Sequence, residues 1–432
     1  MTFENEYGFN LPETYDEKSH KNYLSKQENE RSHQLGKWSR LQGNYQRCKQ
    51  LKKLVRKSIP KEYRCNVWMS LSGANILKQD NEGLFARLTA RHPDNKSYIL
   101  ISNAYGEEQL DLISKDLPRT FPESPLILKD PVLYNHIQDV LLGYCLHKPE
   151  MGYFQGLNDI AASLLLATCK PNKGWQPENC FWLLIALVDL IPDYYSSSCM
   201  PNLNRDCHIL KGLAKKTVPW TMRVMSRWRF PPLWQDSVTR WLVCLFIDTL
   251  PFHTLLHVWD TLFYEGYKIL FRVAVYQFVL HKKELGNMYD LCFQTIFLRD
   301  LFWEPKAWDS YEYMKNVFRK SGNFSRGYIE RKRNDVIPTP DDQEMCDRAR
   351  QVTDWKWINS PPGEEQRSRF IERGLINTGL SGRHTVSKDQ YTRFLNFELD
   401  VNFEREDYSW HGVPSEQGWN EVKKSGGVVK FV

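Results

Sequence analysis

The sequence predicts an all-α fold, and three observations carry that expectation. Apolar residues recur at helical spacing over long stretches, alternating strand patterns bounded by hairpin turns are scarce, and prolines fall between the periodic segments. Leu133, Ile137, Val140, Leu141 and Tyr144 form one stripe; Leu157, Ile160, Ala161, Leu164 and Leu165 a second; Leu255, Val258, Trp259, Leu262 and Phe263 a third. Each follows the i, i+3, i+4, i+7 rhythm that gathers side chains on one side of a 3.6-residue turn. Pro118, Pro122, Pro125, Pro149, Pro177, Pro192, Pro231, Pro232 and Pro251 punctuate them, because proline cannot continue a helix interior.

Taken in order, residues 1–50 read as an N-terminal arm. They are polar and rich in Glu, Asn, Lys and Ser, and the isolated Tyr7, Phe9, Tyr15, Tyr23 and Trp38 suit an extended segment docked on the body. Residues 51–300 read as the helical body, opened by a basic run at Lys49, Lys52, Lys53, Arg56 and Lys57. That run is either a solvated helix face or a contact with a membrane surface or acidic partner. Residues 301–432 read as a C-terminal extension, largely flexible, in which Tyr328–Asp335 and Pro338–Asp342 are charged or proline-bearing. Its scattered Trp355, Trp357, Phe394, Phe397, Trp410 and Trp419 leave a short docking helix or a partner-binding segment open.

Composition excludes several classes. Among 432 residues, 41% are hydrophobic and 25% charged, which rules out collagen-like, coiled-coil and wholly disordered chains. Lysine and arginine number 58 against 52 aspartates and glutamates, and the resulting +6 is too dilute for a nucleic-acid binder. The best apolar run, Phe181 to Val188, stops at Asp189, far short of a membrane span. The acidic start, Met1-Thr2-Phe3-Glu4, does not resemble a signal peptide, so ten cysteines read as reduced thiols of a soluble, cytoplasmic protein, at most peripheral on endomembranes. Cys199, Cys207 and His208 match no common zinc spacing. His253 and His257 lack the intervening glutamate of a metalloprotease helix, which favours packing or capping over metal binding. No P-loop, dinucleotide-binding glycine motif or Gly-x-Ser-x-Gly elbow is present.

Two stretches remain. In Ile113-Ser114-Lys115-Asp116-Leu117-Pro118-Arg119-Thr120-Phe121-Pro122, prolines stiffen the backbone around an arginine that Asp116 can orient. In Gly152-Tyr153-Phe154-Gln155-Gly156-Leu157-Asn158-Asp159-Ile160, an uncharged amide stands between two glycines where an amphipathic helix begins. Alone, these fit a buried Arg–Asp pair and a helix cap.

Together with their surroundings they resemble the TBC-domain family, the GTPase-activating proteins of Rab GTPases. Ile59-Pro60, Arg64, Val67 and Trp68 resemble its opening motif, with Ser58 where glycine is usual; Ile113, Asp116 and Arg119 match its I-x-x-D-x-x-R motif; Tyr153 and Gln155 match Y-x-Q; Trp259-Asp260 and Glu265-Gly266 resemble a helix motif of the second lobe. The resemblance covers about residues 55–290. It implies a two-lobed helical domain with flanking partly disordered extensions, and catalysis by Arg119 and Gln155 supplied in trans to a GTP-bound Rab. Ile113, Asp116, Tyr153, Gly156, Asn158 and Asp159 then support the two; Asp116 either positions Arg119 or forms a structural ion pair. Tyr153, Gly156, Asn158 and Asp159 are expected to shape and cap the segment presenting Gln155. Trp68 and Trp259 are expected in the core, with Arg64 and Asp260 as an ion pair or capping groups. No cofactor of its own is implied, since GTP and Mg²⁺ arrive with the GTPase. A non-catalytic Rab-binding scaffold is the alternative.

Overall fold

The structure, a computed structural model, describes residues 7, 9, 17–93, 97–101, 104–121, 124, 130–169, 174–191, 194, 195, 201–225, 234–247, 249–287 and 307–335. The expectations made for Tyr15, Cys199 and everything from residue 336 onward lie outside them. Among the described residues the regular structure is helical, with one isolated antiparallel bridge between Arg91 and Tyr98.

A first group of helices comprises α2 (Lys49–Val55), α3 (Lys61–Ser72), α4 (Ala74–Asp80), α5 (Leu84–Leu88), α6 (Ala104–Asp116), α7 (Pro131–His147), α8 (Leu157–Thr168) and α9 (Pro177–Leu190). Helix α9 is its centre. It is apolar all round, buried continuously from Cys180 to Val188, and packs on α3, α4, α7 and α8. A helix of that composition has no face to give to water, so neighbours must cover every side. Starts are chemically marked: Asp130 accepts from the amides of Val132 (2.9 Å) and Leu133 (3.2 Å) ahead of α7. Pro131 and Pro177 occupy the first turns of α7 and α9, where no amide is needed.

The second group comprises α10 (Pro201–Thr217), α11 (Pro219–Met225), α12 (Trp234–Val243), α13 (Phe252–Glu265), α14 (Lys268–Leu280) and α15 (Lys282–Asn287). Helix α13 joins the groups by packing on α2 and α3. Trp68 and Trp259 are wholly buried at this seam, and the Trp68 ring lies 4.7 Å from that of Phe263. This is the two-lobed helical arrangement the resemblance implies. Of the basic run, Arg56 (2.6 Å) and Lys52 (3.7 Å) turn toward the buried Glu265 carboxylate, while Lys49, Lys53 and Lys57 are exposed. No helix among the described residues is long and apolar enough to cross a membrane.

Two expectations about the flanks need correction. The arm is not extended between residues 17 and 38: Glu17–Trp38 is a helix, α1, rich in Lys, Glu and Gln, which are good helix formers. Trp38 at its end is fully buried, its ring 6.1 Å from that of Tyr63. Nor does packing stop at residue 300. Helices α16 (Ser310–Lys320) and α17 (Arg326–Asp335) lie on the second group, α16 on α13 and α14, α17 on α10. Tyr313, Met314 and Val317 are fully buried, and Arg333 grips the buried Asp206 carboxylate with two bonds, 2.7 and 2.6 Å. Dense surrounding charge masks this stripe in a hydropathy reading, yet three buried side chains suffice to dock a short helix.

Candidate functional site

Helix α6 ends at Asp116 and tightens into a single 3-10 turn, Leu117–Arg119, with Pro118 inside it. Ile113 is fully buried and fixes the helix on the body, so the following turn carries Arg119 out to the surface. The Arg119 side chain is 47% exposed and ion-paired with Asp116, whose own side chain is only 6% exposed. The other Asp116 oxygen accepts from the Tyr153 hydroxyl at 2.8 Å. Burial first, and then the neighbouring Asp116 charge, push the Tyr153 phenol well above its ordinary pKa, so it stays a neutral donor.

The Gln155 turn is tied to the same framework. Gly156 stands at the start of α8 with φ of +104°, a conformation that glycine adopts without steric cost, and its amide donates to Asn158 Oδ1 at 3.1 Å. The Asn158 amide donates to Thr120 Oγ1 at 2.9 Å, and Thr120 donates to the Asp116 carbonyl at 3.2 Å. Upstream, Gln109 of α6 accepts from the Tyr153 amide at 2.6 Å. Three side-chain bonds therefore cross between the two segments, Tyr153 to Asp116, Asn158 to Thr120 and the Tyr153 amide to Gln109. Asp159 lies half-buried in the first turn of α8, where a negative charge suits the helix N-terminus. Gln155 is half-buried, and among the described residues its carboxamide has no hydrogen-bond partner.

The structure thus brings together Ile113, Asp116, Arg119, Tyr153, Gly156, Asn158 and Asp159 with Gln155 on adjoining segments. Sequence reasoning missed Gln109 and Thr120. Gln109 was legible, since it shares a helical face with Ile113 and Asp116 at spacings of four and seven; Thr120 carries no such signal.

The Rab-GTPase-TBC domain family profile matches residues 61–286, a little over half the chain. The chain belongs to the Rab-GTPase-TBC domain family. The chain is similar over 336 residues to Growth hormone-regulated TBC protein 1 of Xenopus laevis, 33% identical, covering 76% of this chain and 92% of the relative. The human protein of that name is 34% identical over 335 residues, with 76% and 93% covered. Tyr7-Gly8-Phe9, Pro12-Glu13, Lys37–Leu41 and Ile191–Tyr195 are features that resemble the same subgroup. Among solved structures, the Chlamydomonas flagellar RabGAP TBC domain superposes with a TM-score of 0.59 at 25% identity, covering 74% of this chain and all of that one. The Ypt/Rab-GAP domain of Gyp1p, at 19% identity and a TM-score of 0.52, covers 62% of this chain and 91% of that one and shares the fold. Membership assigns the TBC domain, at the level of the family, to Rab GTPase activation, with a Rab GTPase as partner.

Proposed function

We propose that this chain accelerates GTP hydrolysis by a GTP-bound Rab through two groups donated in trans, the Arg119 guanidinium and the Gln155 carboxamide. Hydrolysis on a small GTPase is slow because charge accumulates on the transferring phosphoryl and leaving oxygens while the attacking water is loosely held. A planar, permanently charged fork answers the first difficulty, since it can give two parallel hydrogen bonds to phosphate oxygens. A carboxamide answers the second: its oxygen accepts from the water and its nitrogen donates to the γ-phosphate. The GTPase contributes the nucleotide, Mg²⁺ and the phosphate-binding loop.

The observation that carries this reading is the unequal use of the Arg119 donors. One Nη2 bond to buried Asp116 fixes the direction of the side chain, and among the described residues the remaining N–H groups have no partner. The neighbouring segment offers a carboxamide equally unengaged. An arginine finger is worth about 10³–10⁵ in rate, or ~4–7 kcal/mol of barrier.

The test is GTP hydrolysis across a Rab panel with the full chain. At least one Rab should be strongly accelerated, and Arg119→Ala and Gln155→Ala should each abolish that acceleration while both variants remain folded, with cooperative thermal melting. Either variant at full rate on the best substrate refutes the two-group mechanism. Binding to a Rab without any hydrolysis would replace it with a scaffold role.

A further inference from the structure

Phe121, two residues beyond Arg119, has φ of +43°. A bulky residue in the left-handed region is under strain and persists only where its surroundings over-determine it. Here the surroundings are aromatic and come from two distant parts of the chain. The Phe121 ring is buried, edge-on to Phe9 with centroids 5.1 Å apart and edge-on to Phe252 at 6.4 Å. Phe9 itself stacks on Phe252 at 4.7 Å, and Tyr7 meets the same ring edge-on at 4.9 Å. Tyr7 is anchored in turn, accepting from Arg64 Nη1 at 3.1 Å with the Lys61 ammonium 4.9 Å from its ring centre. Phe252 opens α13 in the second helix group, whereas Phe121 closes the arginine turn of the first. Phe9 is the wedge between them, and it lies far outside the matched domain, residues 61–286.

We infer that Phe9 is a positioning residue for catalysis: the N-terminal segment locks Phe121 in its strained conformation and so fixes the direction in which the arginine turn presents Arg119. The inference rests on the proposed role of Arg119. With Phe9 absent, one wall of the Phe121 pocket opens to water, the backbone can relax to an ordinary negative φ, and Thr120 and Arg119 turn with it. Phe9 and Phe121 are both buried and make no direct contact with a docked GTPase, so the effect belongs to the bound-state rate and not to affinity.

The experiment uses the full chain and the Rab that responds most strongly in the panel. Phe9→Ala should lower the saturating hydrolysis rate about 3- to 10-fold, the range expected from losing aromatic pair interactions, while the half-saturating concentration moves less than about twofold. Phe9→Leu, which keeps apolar volume, should recover part of the loss. In the double variant with Phe121→Leu the two effects should not multiply, because both act through one contact. A readout independent of any GTPase is exchange of the Thr120 and Ser124 amides, which bond to the Leu117 and Phe121 carbonyls at 3.1 and 2.9 Å and should exchange faster in Phe9→Ala. An unchanged saturating rate and unchanged exchange in Phe9→Ala, in a protein that Arg119→Ala inactivates, overturns the inference. Should Arg119→Ala retain full activity, the parent mechanism fails instead, and the exchange experiment still reports whether Phe9 holds the turn.

Discussion

Two polar clusters in this protein are assembled from nearly the same parts and serve opposite ends. At the seam between the helix groups, Arg64 donates Nε to Asp260 (3.1 Å), Nη1 to Tyr7 (3.1 Å) and Nη2 to the Ile59 carbonyl (2.7 Å). Asp260 also accepts from the Trp68 indole at 2.9 Å and the Ile59 amide at 2.8 Å. At the surface, Arg119 pairs with Asp116, and Asp116 accepts from Tyr153. Each has an arginine, an aspartate and a tyrosine hydroxyl. The difference is where the arginine ends: the Arg64 side chain is 6% exposed with Asp260 at 0%, whereas Arg119 is 47% exposed. A guanidinium with every edge satisfied internally is architecture. One held by a single edge has donors left to offer.

Removing the two guanidinium groups should therefore separate activity from stability. Arg119→Ala is expected to cost about 10³–10⁵ in the accelerated rate and only about 1–3 kcal/mol of stability, because Asp116, though buried, keeps the Tyr153 hydroxyl as a donor. Arg119→Lys keeps the charge but not the fork and should remain severely impaired. Arg64→Ala strands the buried Asp260 carboxylate and should cost about 3–5 kcal/mol of stability, measured by urea unfolding. A stable, fully folded Arg64→Ala protein would erase the distinction between the clusters.

How far each cluster could be read from the sequence follows the same division. Arg119, Gln155, Arg64 and Asp260 stand in local motifs of fixed spacing, and the stripes of α7, α8 and α13 repeat at helical period, so these were legible. What joins them was not. Asp260 meets Ile59 across 201 residues, and Phe9 meets Phe121 across more than a hundred, contacts that only the packed chain creates. Helix α16 escaped for another reason: Tyr313, Met314 and Val317 lie among Glu312, Lys315, Arg319 and Lys320, and average hydropathy hides a stripe of three.

Acid should discriminate between the clusters as well. His257 is wholly buried at the seam, its Nε2 3.1 Å from the Arg56 carbonyl, and burial, with Arg64 nearby, lowers its pKa from 6.5 to about 4. His253, one turn earlier and bonded to the Trp308 carbonyl, is lowered to about 4 by burial as well. Both stay neutral in the folded chain, while the unfolded chain takes up protons below about 6.5. Stability contributed by this difference is complete above pH 6.5 and declines as pH falls toward 4, by about 2–4 kcal/mol for the pair at pH 5. Urea midpoints should fall over that window, and His257→Gln should flatten the slope. An unchanged midpoint between pH 7 and 5 would mean that these imidazoles are not held neutral.

The smallest effect tests the seam at its most unusual point. Ser58, where the family's opening motif usually has glycine, sits at φ of +73°, in the left-handed region, and its hydroxyl donates to Asp260 Oδ2 at 3.2 Å. Two opposing contributions meet in Ser58→Gly. Glycine relieves about 1–2 kcal/mol of backbone strain but loses the hydroxyl bond and gains ~0.5–1 kcal/mol of unfolded-state entropy. The Ile59 amide still serves the same Asp260 oxygen, so the lost bond leaves no charge unattended. The net change in stability should be within about 1 kcal/mol. Ser58→Ala keeps the strain and loses the bond, so it should be less stable than Ser58→Gly by about 1 kcal/mol. The order serine, glycine, alanine in urea midpoint, with hydrolysis rates at the Arg119 cluster unaltered, is the expected outcome. Alanine at or above glycine would show that strain at this positive φ does not govern the position.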